Sequence, residues 1–413
     1  WGMVLAVVGT IFLFVVATVT PGVDVQGYFE ASGSIWATPD IARMSLDNTI
    51  GEMVRSQAYV LAAIVVLFSL IWPYAKLLLM LYAWLAPMKA TSRGPLLVFL
   101  DLVGKWSLTD NFAMFLIIVL FWIHWEGTDI TTGRPASVRM KCSPDTELDV
   151  FVAATVLSLA LGHSVLAVHR WQAGEFHATA VAGTQRKPLW VRLLPLHAVA
   201  EGPTRAAGAA TVGLAMGAVV ALVVGCWFVE IVEIQLDGLV GAFLDVTGQP
   251  RARRYSILGV VQHIAAQGST YLQVVMVVFV IVIPVLYLAG LLALWAVPMV
   301  PRAQVRVFAL CQTLCAWSSL DVFLVAYLGA VLGGQKYGIA QFIELLIYEQ
   351  NVGHLCKGLR RAGIECLTVH ISMLPPVLLV LAAIISATVV SSIAHCRFRA
   401  VIFPTCPELG SGC

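Results

Sequence analysis

Two aspartates stand in the same short sequence. Asp110 follows Trp106 and Ser107 and precedes Phe112. Asp321 follows Trp317 and Ser318 and precedes Phe323, so Trp-Ser-x-x-Asp-x-Phe occurs twice. Each copy lies in the middle of a long apolar run. A carboxylate at the centre of a bilayer costs at least about 2.5 kcal/mol, so it faces a partner or water, and it marks a proton or ion pathway. Ser107 and Asp110 are three residues apart, as are Ser318 and Asp321. On a helix each pair shares a face, where the hydroxyl can donate a hydrogen bond to the carboxylate.

Cations lie beside the first copy only. Lys76 follows Pro73 by three residues and Lys105 directly precedes Trp106, whereas the matching positions near the second copy are Tyr287 and Ala316. Lys76 and Lys105 fall at similar depths on consecutive runs, with Asp110 roughly 7 Å farther outward on a helix. Lys76, Lys105, Ser107 and Asp110 form a candidate polar cluster, and Ser318 and Asp321 are its counterpart. Plainer readings stand beside this one. Asp101 and Lys105 make a stabilising i, i+4 pair, Lys76 snorkels to the interface, and the aspartates fix helix packing by buried hydrogen bonds. Pro73 and its match Pro284 each free a carbonyl one turn earlier and kink the chain.

Other chemistry finds little support. No H-E-x-x-H, Walker A or G-x-S-x-G pattern occurs, so the chain is not read as an enzyme and no cofactor is expected. The nine cysteines include no C-x-x-C pair, and no structural zinc or other metal is expected. Cys356 and Cys366 share one polar loop and bridge if that loop faces an oxidising compartment. His163 and His169, near a helix end, read as structural.

The elements that must position these residues are membrane spans. Of 413 residues, 60% are hydrophobic and 12% charged, and the mean hydropathy is +0.89. A soluble domain carries about 25% charged residues, so an ordinary cytosolic enzyme and a disordered chain are both excluded. The net charge of +2 gives no basic excess, and nucleic acid is not an expected partner. The chain opens on Trp1, and residues are expected to precede it. A helix needs about 20 apolar residues to cross a bilayer. Eight runs qualify: 2–22, 57–86, 96–125, 150–169, 207–234, 270–297, 305–332 and 371–394. Lys and Arg concentrate in 87–95, 170–206, 298–304 and the tail, which places both termini in the cytosol.

The second half repeats the first at one constant offset. Phe68 matches Phe279, Pro73 matches Pro284, Trp84 matches Trp295, and Trp106, Ser107, Asp110 and Phe112 match Trp317, Ser318, Asp321 and Phe323, all without a gap. Proline, tryptophan, serine and aspartate in register are not an accident of apolar composition. The expected fold is therefore an all-α polytopic membrane protein of eight transmembrane helices. Residues 1–170 form a first four-helix module, 171–206 a cytosolic linker, 207–396 a second module and 397–413 a tail. Four spans return the chain to its starting side, so the modules are expected to be related by a pseudo-twofold axis along the membrane normal.

The tandem four-span units, the Pro73–Lys76 spacing and the doubled Trp-Ser-x-x-Asp-x-Phe signature resemble the paraquat-inducible protein A family, which includes the LetA proteins of bacterial envelopes. Ser45–Phe112 and Ser256–Phe323 carry the resemblance best. It implies tetraspanin-like modules and a component of phospholipid transport that works with MCE-domain proteins, whose stacked rings make a hydrophobic route across the periplasm. It also carries Lys76, Ser107, Asp110, Ser318 and Asp321 over as the polar network. Membrane lipids and an MCE-type protein are the partners it implies, while the residues alone leave open a small-solute or ion transporter with a midplane site, or a membrane scaffold or assembly factor. The location it implies is a plasma or inner membrane, or an organelle membrane in a eukaryotic relative. The chain departs from bacterial members: 170–206 contains no cysteine, where they carry zinc ribbons, and the second-half counterpart of Lys76 is Tyr287.

Overall fold

Long apolar runs fold as helices because a helix satisfies its own backbone where no water can. The computed structural model describes residues 1–31, 34–55, 59–109, 111–113, 123–128, 135–144, 146–172, 188–193, 203–246, 248–266, 270–332 and 368–402. The first half runs α1 (Gly2–Val19), β1 (Pro21–Ala31), β2 (Ser34–Ser45), α2 (Leu46–Arg55) and α3 (Tyr59–Val65). A π segment, Val66–Ile71, leads into α4 (Trp72–Leu85), and α5 (Ala90–Gly104) passes into a 3-10 turn at Lys105–Leu108. β3 (Ile123–Thr128), β4 (Pro135–Pro144) and α6 (Thr146–Gln172) complete it. The short α7 (Leu189–Leu193) precedes the second half, which begins with α8 (Pro203–Gly225), β5 (Glu230–Asp237), α9 (Gly238–Val246), β6 (Ala252–Ser256) and α10 (Ile257–Ala266). Then come α11 (Thr270–Met276), a π segment at Val277–Val282, α12 (Ile283–Ala296), α13 (Pro301–Trp317), α14 (Leu320–Leu332), β7 (Thr368–Met373) and α15 (Val377–Ile402).

Among the described residues, seven helical stretches are long and apolar enough to cross a membrane. The eighth expected span, 96–125, includes α5, but Asp110 and 114–122 lie outside the described residues. So do most of the expected linker, the Cys356–Cys366 loop and the chain beyond 402. The helices carry apolar side chains on their outer faces: Leu5 and Phe12 of α1, Leu78 of α4, Leu214 of α8 and Leu378 of α15 are all exposed. Such faces suit lipid rather than water.

The fold is mostly helical, as expected, and among the described residues it adds two small antiparallel sheets that the all-helical reading did not include. The first has the order β2-β1-β4-β3, with Tyr28 opposite Arg139. It joins the hairpin after α1 to the hairpin before α6, so both loops emerge on one side of the helices. The second has the order β6-β5-β7, with Ile234 between Arg253 and Ile371. The fifth span is shorter than the 207–234 read from hydropathy. Its helix ends at Gly225, and residues from Glu230 onward pair as β5.

Element boundaries recur along the chain. α3, its π segment and α4 occupy 59–85, and α11, its π segment and α12 occupy 270–296 with identical internal lengths. The prolines explain the π segments. A proline ring clashes with the carbonyl four residues back, and widening one turn relieves the clash. The residue before each proline bonds five back, Trp72 N–H to Leu67 O and Ile283 N–H to Val278 O. The expected kinks at Pro73 and Pro284 therefore take this particular form. Across each widened turn a ring pair stacks, Phe68 on Trp106 at 5.0 Å and Phe279 on Trp317 at 5.8 Å.

The two halves meet along their third spans. α5 packs on α13, and α3 packs on α14. Phe112 meets its own match, Phe323, edge to face at 5.8 Å. One core cluster lies within the first half, around Phe14, Leu77, Leu100 and Phe151. The other fills the second half and draws in Leu108, Phe112, Val152 and Leu159 from the first.

Outside the spans, His263 of α10 lies edge-on to Tyr255 of β6, with ring centroids 4.9 Å apart. Burial, and then the Arg253 charge, hold its pKa below the ordinary 6.5. As pH falls through about 6.5, the unfolded chain binds a proton that the folded chain does not yet take, so stability is lost on acidification. His263→Gln is expected to flatten this slope between about pH 7.5 and 5.5 in thermal melts of the detergent-purified protein. Identical slopes for the variant and the parent would refute it.

Candidate functional site

The third span departs from α-helix at the same place in both halves, and breaks outright in the second. In the second half α13 ends at Trp317, Ser318 is extended, and α14 starts at Leu320. In the first half α5 gives way to the 3-10 turn at Lys105. Serines compete with helical hydrogen bonding, which suits Ser318 and Ser319 to the break. Ser319 N–H turns away to donate to Phe279 O at 3.2 Å. Irregular backbone at membrane depth is tolerated only inside protein or along a cavity. In transporters such discontinuous helices build the binding site.

Lys105 completes the break. Its Nζ donates to Ser318 O at 2.9 Å and lies 2.7 Å from Asp321 Oδ2. Lys105 is only 8% exposed, whereas the Asp321 side chain is about a third exposed, at 32%. Asp321 sits in the first turn of α14, where the helix dipole favours an anion, and its Oδ1 accepts the Val322 N–H at 3.0 Å. The second half has no lysine of its own here, and the first half supplies one. Ser318 serves through its carbonyl rather than through the expected hydroxyl bond.

A second polar chain lies deeper in the first half. Lys76 of α4 is fully buried and donates to Ser158 O at 3.1 Å, beside the charge of Asp101. It does not snorkel. Asp101 is 6% exposed, and both its oxygens lie 3.1 Å from His163 Nδ1. His163 Nε2 reaches Thr313 Oγ1 on α13 at 2.5 Å, and that hydroxyl also lies 3.1 Å from Ala309 O. If the threonine donates to Ala309, both imidazole nitrogens face acceptors, and one extra proton must sit between His163 and Asp101. If it donates to Nε2, the imidazole is neutral. The direction of the Thr313 hydroxyl and the number of protons on the Asp101–His163 pair are therefore linked. Asp101 takes His163, not the Lys105 that the i, i+4 spacing suggested. Nearby, Gln312, the match of Asp101, accepts from Arg170 Nη1 at 2.6 Å.

These groups surround a cavity of about 550 Å³ between the halves, lined by Asp101, Lys105, Trp106 and Arg170 of the first half, and by Gln312, Ser318, Asp321 and His395 of the second, among others. Its size is that of a ligand pocket. Of the sequence-derived site residues, Lys105, Trp106, Ser318, Asp321 and Pro284 line it, while Lys76 stands behind Asp101. Trp317 stacks on Phe279. Ser107 is buried and has no hydrogen-bond partner among the described residues. Asp110 is outside those residues, so its pairing with Lys76 or Ser107 is not described. The sequence reading missed Asp101, His163, Thr313, Arg170 and His395 as members of the site. A histidine inside an apolar run, within reach of a buried acid, was the available signal.

These features define a multi-pass helical membrane protein whose halves enclose a polar-ended cavity at a broken span. Two segments, residues 3–124 and 239–341, match the model of the paraquat-inducible protein A family. They cover more than half of the chain, each holds one Trp-Ser-x-x-Asp-x-Phe copy, and the chain belongs to that family. No curated protein and no solved structure matches it.

Two predictions follow from this geometry. Lys105 is the more buried partner, so stranding it by Asp321→Asn is expected to destabilise more than Lys105→Met, and the double variant is expected to be milder than the sum by about 1 kcal/mol. Melting the four proteins in one detergent measures this, and additivity within about 0.3 kcal/mol would show that the pair does not form. The glycines around Lys76 should respond in opposite directions. A Cβ on Gly104 would fall 2.6 Å from Lys76 Nζ and 3.1 Å from Leu159 Cδ2, whereas one on Gly162 meets nothing nearer than 3.6 Å. Gly104→Ala should cost about 1–3 kcal/mol by overpacking. Gly162→Ala should be neutral or stabilising by up to about 1 kcal/mol, as a helix-interior glycine replaced by alanine. Equal melting shifts would contradict the packing described.

Proposed function

We propose that this chain is a non-enzymatic membrane component of phospholipid transport, built as two four-helix modules, 1–170 and 207–396. The modules are related by a pseudo-twofold axis along the membrane normal, and both termini face the cytosol. The recurring element boundaries and the contact of Phe112 with its match support the symmetry, because residues on a twofold axis touch their own equivalents. The charge bias of the loops supports the orientation.

The observation that carries the reading is the cavity between the halves, which combines apolar lining such as Val98, Leu102 and Ile384 with the Lys105–Asp321 bridge on a broken helix. An amphiphile needs an apolar path with polar anchoring, and both are present. Protonation couples to movement through the carboxylates at this seam: Asp321, paired with Lys105 across the halves, and Asp101, whose partner His163 reaches Thr313 of the second half. Asp110 completes the set by its motif. An MCE-type protein is the partner that would take the lipid onward. The size and convergent polar groups of the cavity favour one competing reading, a transporter of a small solute or ion. Native mass spectrometry of the gently purified protein separates the two. Stoichiometric phospholipid, lost together with lipid transfer in Asp321→Asn, is the expected result. Absence of bound lipid, with a small ion or solute raising the melting temperature instead, would overturn it.

A further inference from the structure

The end of the cavity away from Lys105 has a chemistry that the transport reading leaves unused. Arg170, near the last turn of α6, and Arg399, in the last turn of α15, both line it. His395 lines it too, one helical turn before Arg399. Its ring stacks on Tyr287 with centroids 5.7 Å apart and meets Phe308 edge to face at 5.5 Å. The Tyr287 hydroxyl lies 3.2 Å from His395 Nδ1. A phenol donating to Nδ1 leaves the ring's proton on Nε2. His395 Nε2 is buried and has no hydrogen-bond partner among the described residues, and the Arg170 charge acts on the same ring. A ring nitrogen left bare in a buried site is costly, and with Tyr287 donating to Nδ1 the group that Nε2 calls for is an acceptor. Arg170 Nη1 also donates to Gln312 Oε1 at 2.6 Å. The next layer of wall is apolar: Val98, Leu102, Leu166 and Ile384.

We propose that the Arg170–His395–Arg399 mouth binds the phosphate of a net-anionic phospholipid, with the acyl chains along the apolar wall. This rests on the transport reading and narrows its substrate from phospholipid in general to the anionic class. Guanidinium forks match phosphate oxygens in pairs, and the His395 N–H supplies a third donor. A zwitterionic headgroup brings its own cation to two guanidiniums and gains less. Loop charge assigns this end of α6 and α15 to the cytosol, so the lipid enters from the cytosolic leaflet.

The test uses the full chain in mild detergent, titrated with phosphatidylglycerol or phosphatidylcholine and read by native mass spectrometry, with inorganic phosphate as competitor. The parent protein is expected to retain phosphatidylglycerol at least about five-fold better than phosphatidylcholine. Arg399→Gln and His395→Phe should bring phosphatidylglycerol down to the phosphatidylcholine level without changing the latter, and Arg399→Lys should restore most of the preference. An unchanged melting temperature in Arg399→Lys and His395→Phe separates this from misfolding. Equal retention of the two lipids by the parent, or a preference that survives Arg399→Gln, overturns the anionic site and leaves lipid transport standing. Retention of no lipid at all overturns both. Displacement of phosphatidylglycerol by millimolar inorganic phosphate overturns the lipid assignment in favour of a free-phosphate site.

Discussion

The arrangement depends on one ammonium group. A helix broken at membrane depth leaves carbonyls that water cannot reach, and each costs several kcal/mol if left bare. Lys105 settles that problem for the second half by donating to Ser318 O while its charge is met by Asp321. The lysine comes from the other half of the chain, so the break cannot be satisfied unless the halves are docked. Docking, the break and the cavity beside it are thus one structural fact. A buried cation held by one carbonyl and one partly exposed carboxylate is well satisfied, but only while both remain in place.

The halves share a frame and differ in its polar positions, and the difference builds one site instead of two. Lys76 corresponds to Tyr287, Asp101 to Gln312 and Lys105 to Ala316. Lys76 and Tyr287 are both buried, yet one carries a charge beside Asp101 and the other steadies His395. Asp101 holds His163 and Gln312 receives Arg170, so α6 of the first half serves both positions. Small Ala316, 2% exposed, stands where a second lysine would otherwise crowd the first. Had each half kept its own ion pair, the interface would have carried two duplicate charge clusters. With one lysine serving both halves, the remaining volume is left to the cavity.

Local sequence made part of this legible. The doubled motif located the broken span, and the prolines located the widened turns, although a kink and a π segment look alike in sequence. What local sequence cannot carry is a partner more than two hundred residues away. The i, i+4 rule gave Lys105 to Asp101 because both lie on α5, whereas packing gave Lys105 to Asp321 and Asp101 to His163. The strands were hidden for another reason. Val232, Ile234 and Leu236 alternate with Glu233, Gln235 and Asp237, a clear period of two. That run abuts the apolar fifth span, and a hydropathy window absorbs its first residues into the helix.

The position of the break follows from where lipid is. α1, α8 and α15 present exposed leucine, valine and phenylalanine side chains along their lengths, and they are unbroken helices. An interruption in any of them would point bare carbonyls at hydrocarbon. The third spans meet where α5 packs on α13 and Phe112 on Phe323, and around the break Leu108, Phe112, Ser319 and Phe323 are buried between the halves. Only there can backbone leave the helix and still find donors. The same shielding makes Lys76, Asp101 and Lys105 affordable, since all three are at most 8% exposed and each finds a partner within the protein. A polar-ended cavity in this fold is therefore confined to the seam between the halves, and whatever it holds must touch both of them at once.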